Sequence, residues 1–233
     1  MNQQGRFISF EGIDGSGKST QVRLLAEFLE NQGLTVCLTR EPGGSPGAED
    51  IRQLLLEGDP DRWSAETELL LFTAARRDHL ERTILPAIAR AEVVICDRFA
   101  DSTRMYQGLS RGDLRARVDQ LHDLMIGREP DLTLLIDMDP AIGLGRALGR
   151  GTGEERFESF GRDLQTKMRN GFLALAREFP ERIKVVDGNR DIGVVASDVR
   201  DIVTGHLGWA TPPPPPKNPT APQVRRIRAK HSV

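Results

Sequence analysis

The residues best suited to chemistry form one short run, Phe10-Glu11-Gly12-Ile13-Asp14-Gly15-Ser16-Gly17-Lys18-Ser19-Thr20. Gly12, Gly17, Lys18 and Ser19 keep the spacing G-x-x-x-x-G-K-[ST], which suits the holding of a nucleoside triphosphate. Glycines let the backbone curl until several N–H groups face one anion, and a following helix adds the positive end of its dipole. The cradle is therefore Gly12, Ile13, Asp14, Gly15, Ser16, Gly17, Lys18, Ser19 and Thr20. Within it Lys18 would reach the outer phosphates and the Ser19 hydroxyl would ligate Mg2+.

Such a loop works only between a strand and a helix. Phe7-Ile8-Ser9-Phe10 reads as the strand, and Val22, Leu25, Phe28 and Leu29 mark one face of the helix, with Gly33 as its stop. Leu34–Thr39 reads as a second strand ending in the turn-rich Arg40-Glu41-Pro42-Gly43-Gly44. Two helical patterns follow, the first with Ile51 and Leu54–Leu56, the second with Leu69, Leu70, Phe72, Ala75 and Leu80 and with Ser64 or Thr67 as cap. Pro86 marks a break or a new first turn. Val93–Cys96 is a continuously apolar strand that delivers Asp97 and Arg98 at its end. A helix over Leu114–Ile126, strands at Leu132–Ile136 and Ile183–Val186, and helices over 158–177 and 194–203 complete the pattern. Strand and helix alternate five times, which predicts a doubly wound α/β fold: a five-stranded parallel sheet flanked by helices, with ligands at the C-terminal strand ends.

The totals agree. The chain has 233 residues, 38% hydrophobic and 28% charged, enough for one large α/β domain or two small ones. A pI near 6.1 argues against a general nucleic-acid binder. No apolar run has the length of a membrane span, the first residues lack a signal-peptide pattern, and Cys37 and Cys96 both sit in strand-like runs. The chain reads as cytoplasmic, without disulfide or metal-binding cysteines. Residues 211–233 differ in kind: seven of the 14 prolines lie there, with Lys217, Arg225, Arg226, Arg228 and Lys230 and no acidic residue. Of 32 basic residues these five belong to the tail, leaving 27 against 34 acidic ones in the body. The tail reads as a solvated, disordered extension with polyproline II character, and its partner, if it has one, is unknown.

A phosphate cradle alone is shared by switch GTPases, motor ATPases and small-molecule kinases. The guanine-reading pattern N-K-x-D is absent, and Asp97 leads into Arg98-Phe99-Ala100 rather than a D-x-x-G switch. Arg40, Arg76, Arg98, Arg146, Arg150 and Arg156 fall where the ligand loops of an open sheet gather. Fixed guanidinium groups stabilise the charge spread over a transferring phosphoryl group and hold an anionic acceptor.

The chain closely resembles the bacterial thymidylate kinase family. The cradle, Thr39-Arg40-Glu41-Pro42-Gly43-Gly44, Leu71-Phe72-Thr73-Ala74-Ala75-Arg76, the block Asp97-Arg98-Phe99…Ser102-Thr103…Tyr106-Gln107-Gly108, and Pro130-Asp131-Leu132-Thr133 with Ile136-Asp137 resemble that family's motifs, in family order, over roughly residues 6–205. The resemblance implies transfer of the γ-phosphate of ATP to dTMP with Mg2+, yielding dTDP, by a homodimer whose kinase domain spans residues 1–210. It implies that Arg98 binds the acceptor phosphate with Arg40 as helper and that Phe72 stacks on thymine. Arg76 would then hydrogen-bond the base edge, and Ser102, Tyr106 and Gln107 would complete the pocket. Asp14 would address the acceptor sugar or metal-bound water. Residues 143–157 resemble the family's lid. Gly15-Ser16 brings no arginine to the cradle, so the resemblance implies a catalytic arginine from the lid, Arg150 first and Arg146 second, while Glu158 is a candidate carboxylate near the metal. Another kinase of small molecules, or a nucleotide-dependent switch, is the competing reading; Phe72, Arg76 and Gln107 speak against the first and Arg98 against the second.

Overall fold

The computed structural model describes residues 5–59, 62–109, 113–148, 162–206 and 208. Five strands, β1 (Arg6–Glu11), β2 (Val36–Arg40), β3 (Val93–Asp97), β4 (Leu132–Asp137) and β5 (Ile183–Asp187), form one sheet in the order β2-β3-β1-β4-β5, every neighbour parallel. The expected sheet is the observed one. Phe10 and Arg40 both stand in register with Asp97, so the C-terminal ends of β1, β2 and β3 lie side by side.

Strand periodicity sends alternate side chains to opposite layers. Ile8 and Phe10 pack with α1 (Lys18–Asn31), including Val22, Leu25 and Leu29, and with Val195, Val199 and Val203 of the last helix. Phe7, one residue earlier, packs on the other face with Leu80, Ile84, Phe99 and Ile126. Helices on both faces explain why the central strands read as unbroken apolar runs.

Where the elements depart from the sequence reading, local hydrogen bonding accounts for it. Leu34 does not join β2: its N–H closes α1 on Leu29 O (3.1 Å), while Gly33 N–H bonds Glu30 O (2.9 Å) at a φ of 80°. This pair of bonds is the glycine-based helix stop that satisfies the last carbonyls. After α2 (Pro46–Leu56), helix α3 (Ala65–His79) passes through a π turn at Leu80–Ile84 directly into α4 (Leu85–Ala89). Leu85 N–H reaches back five residues to Leu80 O, so the helix crosses Pro86, which has no N–H to give, without breaking.

Helix α5 (Ala100–Tyr106) is new. It is buried from Ala100 through Met105, so it shows no apolar stripe from which a helix could be read. Then come α6 (Arg115–Met125), α7 (Pro140–Leu148), α8 (Arg162–Glu178) and α9 (Ile192–His206). Residues 143–148 of the expected lid are thus helical; its remainder with Arg150 and Arg156, the following Glu158, and the tail 211–233 lie outside the described residues. Among the described residues no helix is long and apolar enough to cross a membrane.

Candidate active site

The loop after β1 curls as the glycine spacing requires. Gly15 takes a φ of 75°, and a Cβ there would meet Gly143 O of α7 at 2.0 Å. No other residue fits that position, so the missing arginine reflects the approach of α7 to the loop. Gly17 (φ 93°) precedes the first turn of α1, which begins with Lys18. Ile13 splits its duties: its side chain belongs to a core cluster with Met105 and Leu135, while its carbonyl faces Lys18. Ser16 is buried.

Lys18 Nζ donates to Gly12 O (3.0 Å), Ile13 O (2.8 Å) and Ser16 Oγ (3.4 Å). Burial pushes its pKa down to about 8, and Arg98 adds to this against the pull of Asp14, Asp97 and Glu11. Ser19 Oγ donates to Asp97 Oδ2 at 2.5 Å. A hydroxyl and a carboxylate side by side, one from the loop and one from the adjacent strand end, are the hard oxygen donors that Mg2+ takes. Asp97 was not among the metal residues expected from sequence. Its part depends on β3 lying beside β1, which strand order supplies and spacing does not.

Arg98 holds the centre. It is the residue after β3, and its φ of 71° is the left-handed region that a long side chain rarely adopts. Backbone and side chain are both pinned. Arg98 N–H bonds Phe10 O (2.9 Å), and the guanidinium donates to Gly12 O (3.1 Å), Ser102 Oγ (2.9 Å), Tyr106 Oη (3.4 Å) and Asp14. The other Asp14 oxygen accepts from Tyr106 Oη at 2.8 Å. Burial alone would raise the Asp14 pKa, but Arg98 and Lys18 outweigh it and hold the carboxyl below its usual 3.8.

Beneath Arg98 lies Glu11, a fully buried carboxylate to which sequence reading assigned no role. It accepts from Phe99 N–H (2.8 Å), Ser102 N–H (3.2 Å) and Ser102 Oγ (2.6 Å). It therefore ties the start of α5 to the end of β1. Burial raises its pKa to about 7, helped by Asp101 and opposed by Arg98 and the hydrogen bonds from Ser102 Oγ and Phe99 N–H.

On the far wall, α3 brings Phe72 and Arg76 to the same face, four residues apart. Arg76 is buried and donates from Nε to Glu41 Oε2 (2.7 Å) and from Nη2 to Phe99 O (3.2 Å) and Thr103 Oγ1 (2.9 Å). Gln107 Nε2 lies 3.5 Å from Glu68 Oε2. Arg40 makes an exposed pair with Glu49 (3.0 Å).

One cavity of about 280 Å3 joins these parts: Asp14, Lys18 and Ser19 on one side, Arg40, Phe72, Arg76, Arg98, Ser102, Tyr106 and Gln107 on the other. Thr20 is absent from its lining, and so is Arg146, which lies exposed on α7. Cationic and phosphate-binding groups at one end, with an aromatic ring and amide and guanidinium donors at the other, suit a nucleotide lying with its phosphate toward Arg98.

The family model for thymidylate kinase matches residues 10–199. A thymidylate kinase of Ruegeria pomeroyi is 73% identical over 207 residues, covering 89% of this chain and 98% of the relative. One of Dinoroseobacter shibae is 70% identical over 199 residues, covering 85% and 96%. The crystal structure of thymidylate kinase from Ehrlichia chaffeensis superimposes with a TM-score of 0.70 at 39% identity, covering 86% of this chain and 98% of that one. Fold, site and these likenesses together make the chain a member of the thymidylate kinase family.

Proposed function

We propose that the protein transfers the γ-phosphate of ATP to dTMP, giving ADP and dTDP, as a cytoplasmic homodimer. The observation that carries this reading is the single cavity that joins the cradle's Lys18 and Ser19 to Arg98, Arg76 and Phe72. An oxygen of the dTMP phosphate attacks the γ-phosphorus, and the bond from that phosphorus to the bridging oxygen of ADP breaks. Arg98 holds the acceptor phosphate, with Arg40 at the rim. Asp14, fixed by Arg98 and Tyr106, faces the acceptor sugar. Phe72 stacks on the base while Arg76 and Gln107 meet its edge.

Ser19 and Asp97 would hold Mg2+, which when bound offsets charge on the donor phosphates. Both oxygens of Asp14 are already engaged by Arg98 and Tyr106, which favours Asp97 over Asp14 for that role. The remaining positive charge is assigned to Arg150, beyond α7, or else to Arg146 in its last turn, because Gly15 leaves no room for an arginine in the cradle. In a coupled ADP-release assay against dTMP, dUMP, dCMP, AMP and GMP, dTMP is expected to give by far the highest kcat/KM. Equal turnover with a purine monophosphate would overturn the substrate assignment.

A further inference from the structure

Helix α3 carries a further polar side chain on the cavity's flank that nothing above employs. His79 stands three residues beyond Arg76 and is completely buried. Its Nδ1 lies 3.0 Å from Glu41 Oε1 and its Nε2 2.7 Å from Thr39 Oγ1. A carboxylate only accepts, so Nδ1 carries a proton and donates to Glu41, while Nε2 shares a hydrogen bond with the Thr39 hydroxyl. Gly44 closes the ring's other side, for a Cβ there would meet Nε2 at 2.4 Å. The imidazole has no route to solvent or ligand, and it is not a catalytic group.

What it does touch is the residue that holds Arg76. Glu41 spends one carboxylate oxygen on His79 and the other on Arg76 Nε. With Nη2 bonded to Phe99 O and Thr103 Oγ1, Nη1 is the one guanidinium nitrogen that has no hydrogen-bonding partner among the described residues. A guanidinium is a planar fork of donors only. Clamped along Nε and Nη2, it presents two N–H groups from Nη1 in a fixed direction. Those groups can meet a ring carbonyl oxygen but not a ring amino group, which has no lone pair to offer.

We propose that Thr39, His79 and Glu41 form a positioning chain that fixes Arg76, and that this chain sets the preference for a 4-keto over a 4-amino pyrimidine. The inference rests on the reading of Arg76 as a base-edge contact, and the experiment separates the two. Steady-state kinetics would be measured on the intact enzyme for ATP, dTMP and dCMP. His79→Leu, which fills the space but cannot donate, is expected to raise KM for dTMP about tenfold, the scale of one hydrogen bond. The preference for dTMP over dCMP should fall in step, while KM for ATP and kcat stay within about threefold. His79→Asn, which returns an amide donor toward Glu41, should recover most of the loss. In an Arg76→Ala background, His79→Leu should cost nothing further, because its route to the base is gone.

An unchanged KM for dTMP in His79→Leu overturns the proposal. So does an equal rise in the KM values of dTMP and ATP, which describes general loosening of the fold, or a full additional loss in the double variant. An Arg76→Ala enzyme with normal dTMP kinetics would overturn the base-edge reading itself, which a silent His79→Leu alone would not. Should His79→Leu fail to fold, Glu41→Gln carries the test. It keeps the size of the side chain but turns one acceptor into a donor facing donors, and the same KM split is expected.

Discussion

The two ends of the cavity are built on different principles. At the acceptor end two guanidinium groups are held by several protein atoms each: Arg98 by Gly12 O, Ser102, Asp14 and Tyr106, Arg76 by Glu41, Phe99 O and Thr103. At the donor end Lys18 spends its ammonium on its own loop, with Gly12 O, Ile13 O and Ser16 Oγ as partners. On the proposed reading the acceptor end is set before any ligand arrives, whereas Lys18 at the donor end would exchange loop carbonyls for phosphate oxygens. Arginine suits the first task because its planar fork is already organised. Lysine, with a compact charge on a flexible stem, suits the second.

The harshest test of that contrast removes the exchanging group. Lys18→Ala should reduce kcat by at least about 10³-fold, on the scale of losing a fixed cation from a phosphoryl-transfer site. Binding of dTMP, followed by calorimetry, should remain within about threefold: Lys18 touches none of the partners of Arg76 and shares only Gly12 O with Arg98, which keeps Ser102, Tyr106 and Asp14. A parallel collapse of dTMP binding would mean that the acceptor end is not independently organised.

Proton linkage gives a gentler test. Burial first, and then Arg98, brings the Lys18 pKa from 10.5 down to about 8. Above that pH the free enzyme has lost this proton, while bound phosphates favour the ammonium and take one up. Affinity for a non-hydrolysable ATP analogue should therefore fall as pH rises through 8, by up to about tenfold per unit. Arginine does not titrate in this range, and a phosphate monoester is fully ionised well below it. Affinity for dTMP should stay flat between pH 8 and 9, below the ionisation of the thymine imide. Equal slopes for the two ligands would erase the distinction between the two ends.

The same contrast decides what the sequence could reveal. The cradle at the donor end is local, one run from Gly12 to Thr20 between a strand and a helix, so its place in the chain was legible; Asp97, which Ser19 meets across 78 positions, was not. The five strands were legible too, because a sheet covered on both faces makes apolar runs in sequence. At the acceptor end Phe72, Arg76, Arg98, Ser102, Tyr106 and Gln107 were found through family motifs, but their supports were not. Arg76 meets Glu41 across 35 positions and Phe99 meets Glu11 across 88. No spacing rule links residues that only a strand order brings together. Helix α5 was hidden for a related reason, since its buried polar residues serve hydrogen bonds of the site, from Ser102 and Thr103, and ion pairs behind it, from Asp101 and Arg104, and leave no stripe. One signal was available: acidic residues at strand ends, Glu11, Glu41 and Asp97, amid loops rich in arginine.

The smallest expected effect probes the seam between the two ends. Tyr106 Oη donates to Asp14 Oδ2 at 2.8 Å, and Arg98 sits 5.3 Å from the centre of its ring. Burial raises the phenol's pKa well above 10, so it remains a donor across the working range. Tyr106→Phe keeps the ring under Arg98 and removes one neutral donor to a carboxylate that Arg98 still holds. A loss of about fivefold in kcat/KM for dTMP follows, the net value of one such bond. Asp14 belongs to the cradle by sequence, yet its partners Arg98 and Tyr106 come from the acceptor side. If the carboxylate serves the acceptor, KM for ATP should not move in Tyr106→Phe. If KM for ATP rises as much as KM for dTMP, Asp14 works for both ligands, and the boundary between a prebuilt and a rebuilt end runs through that carboxylate instead of beside it.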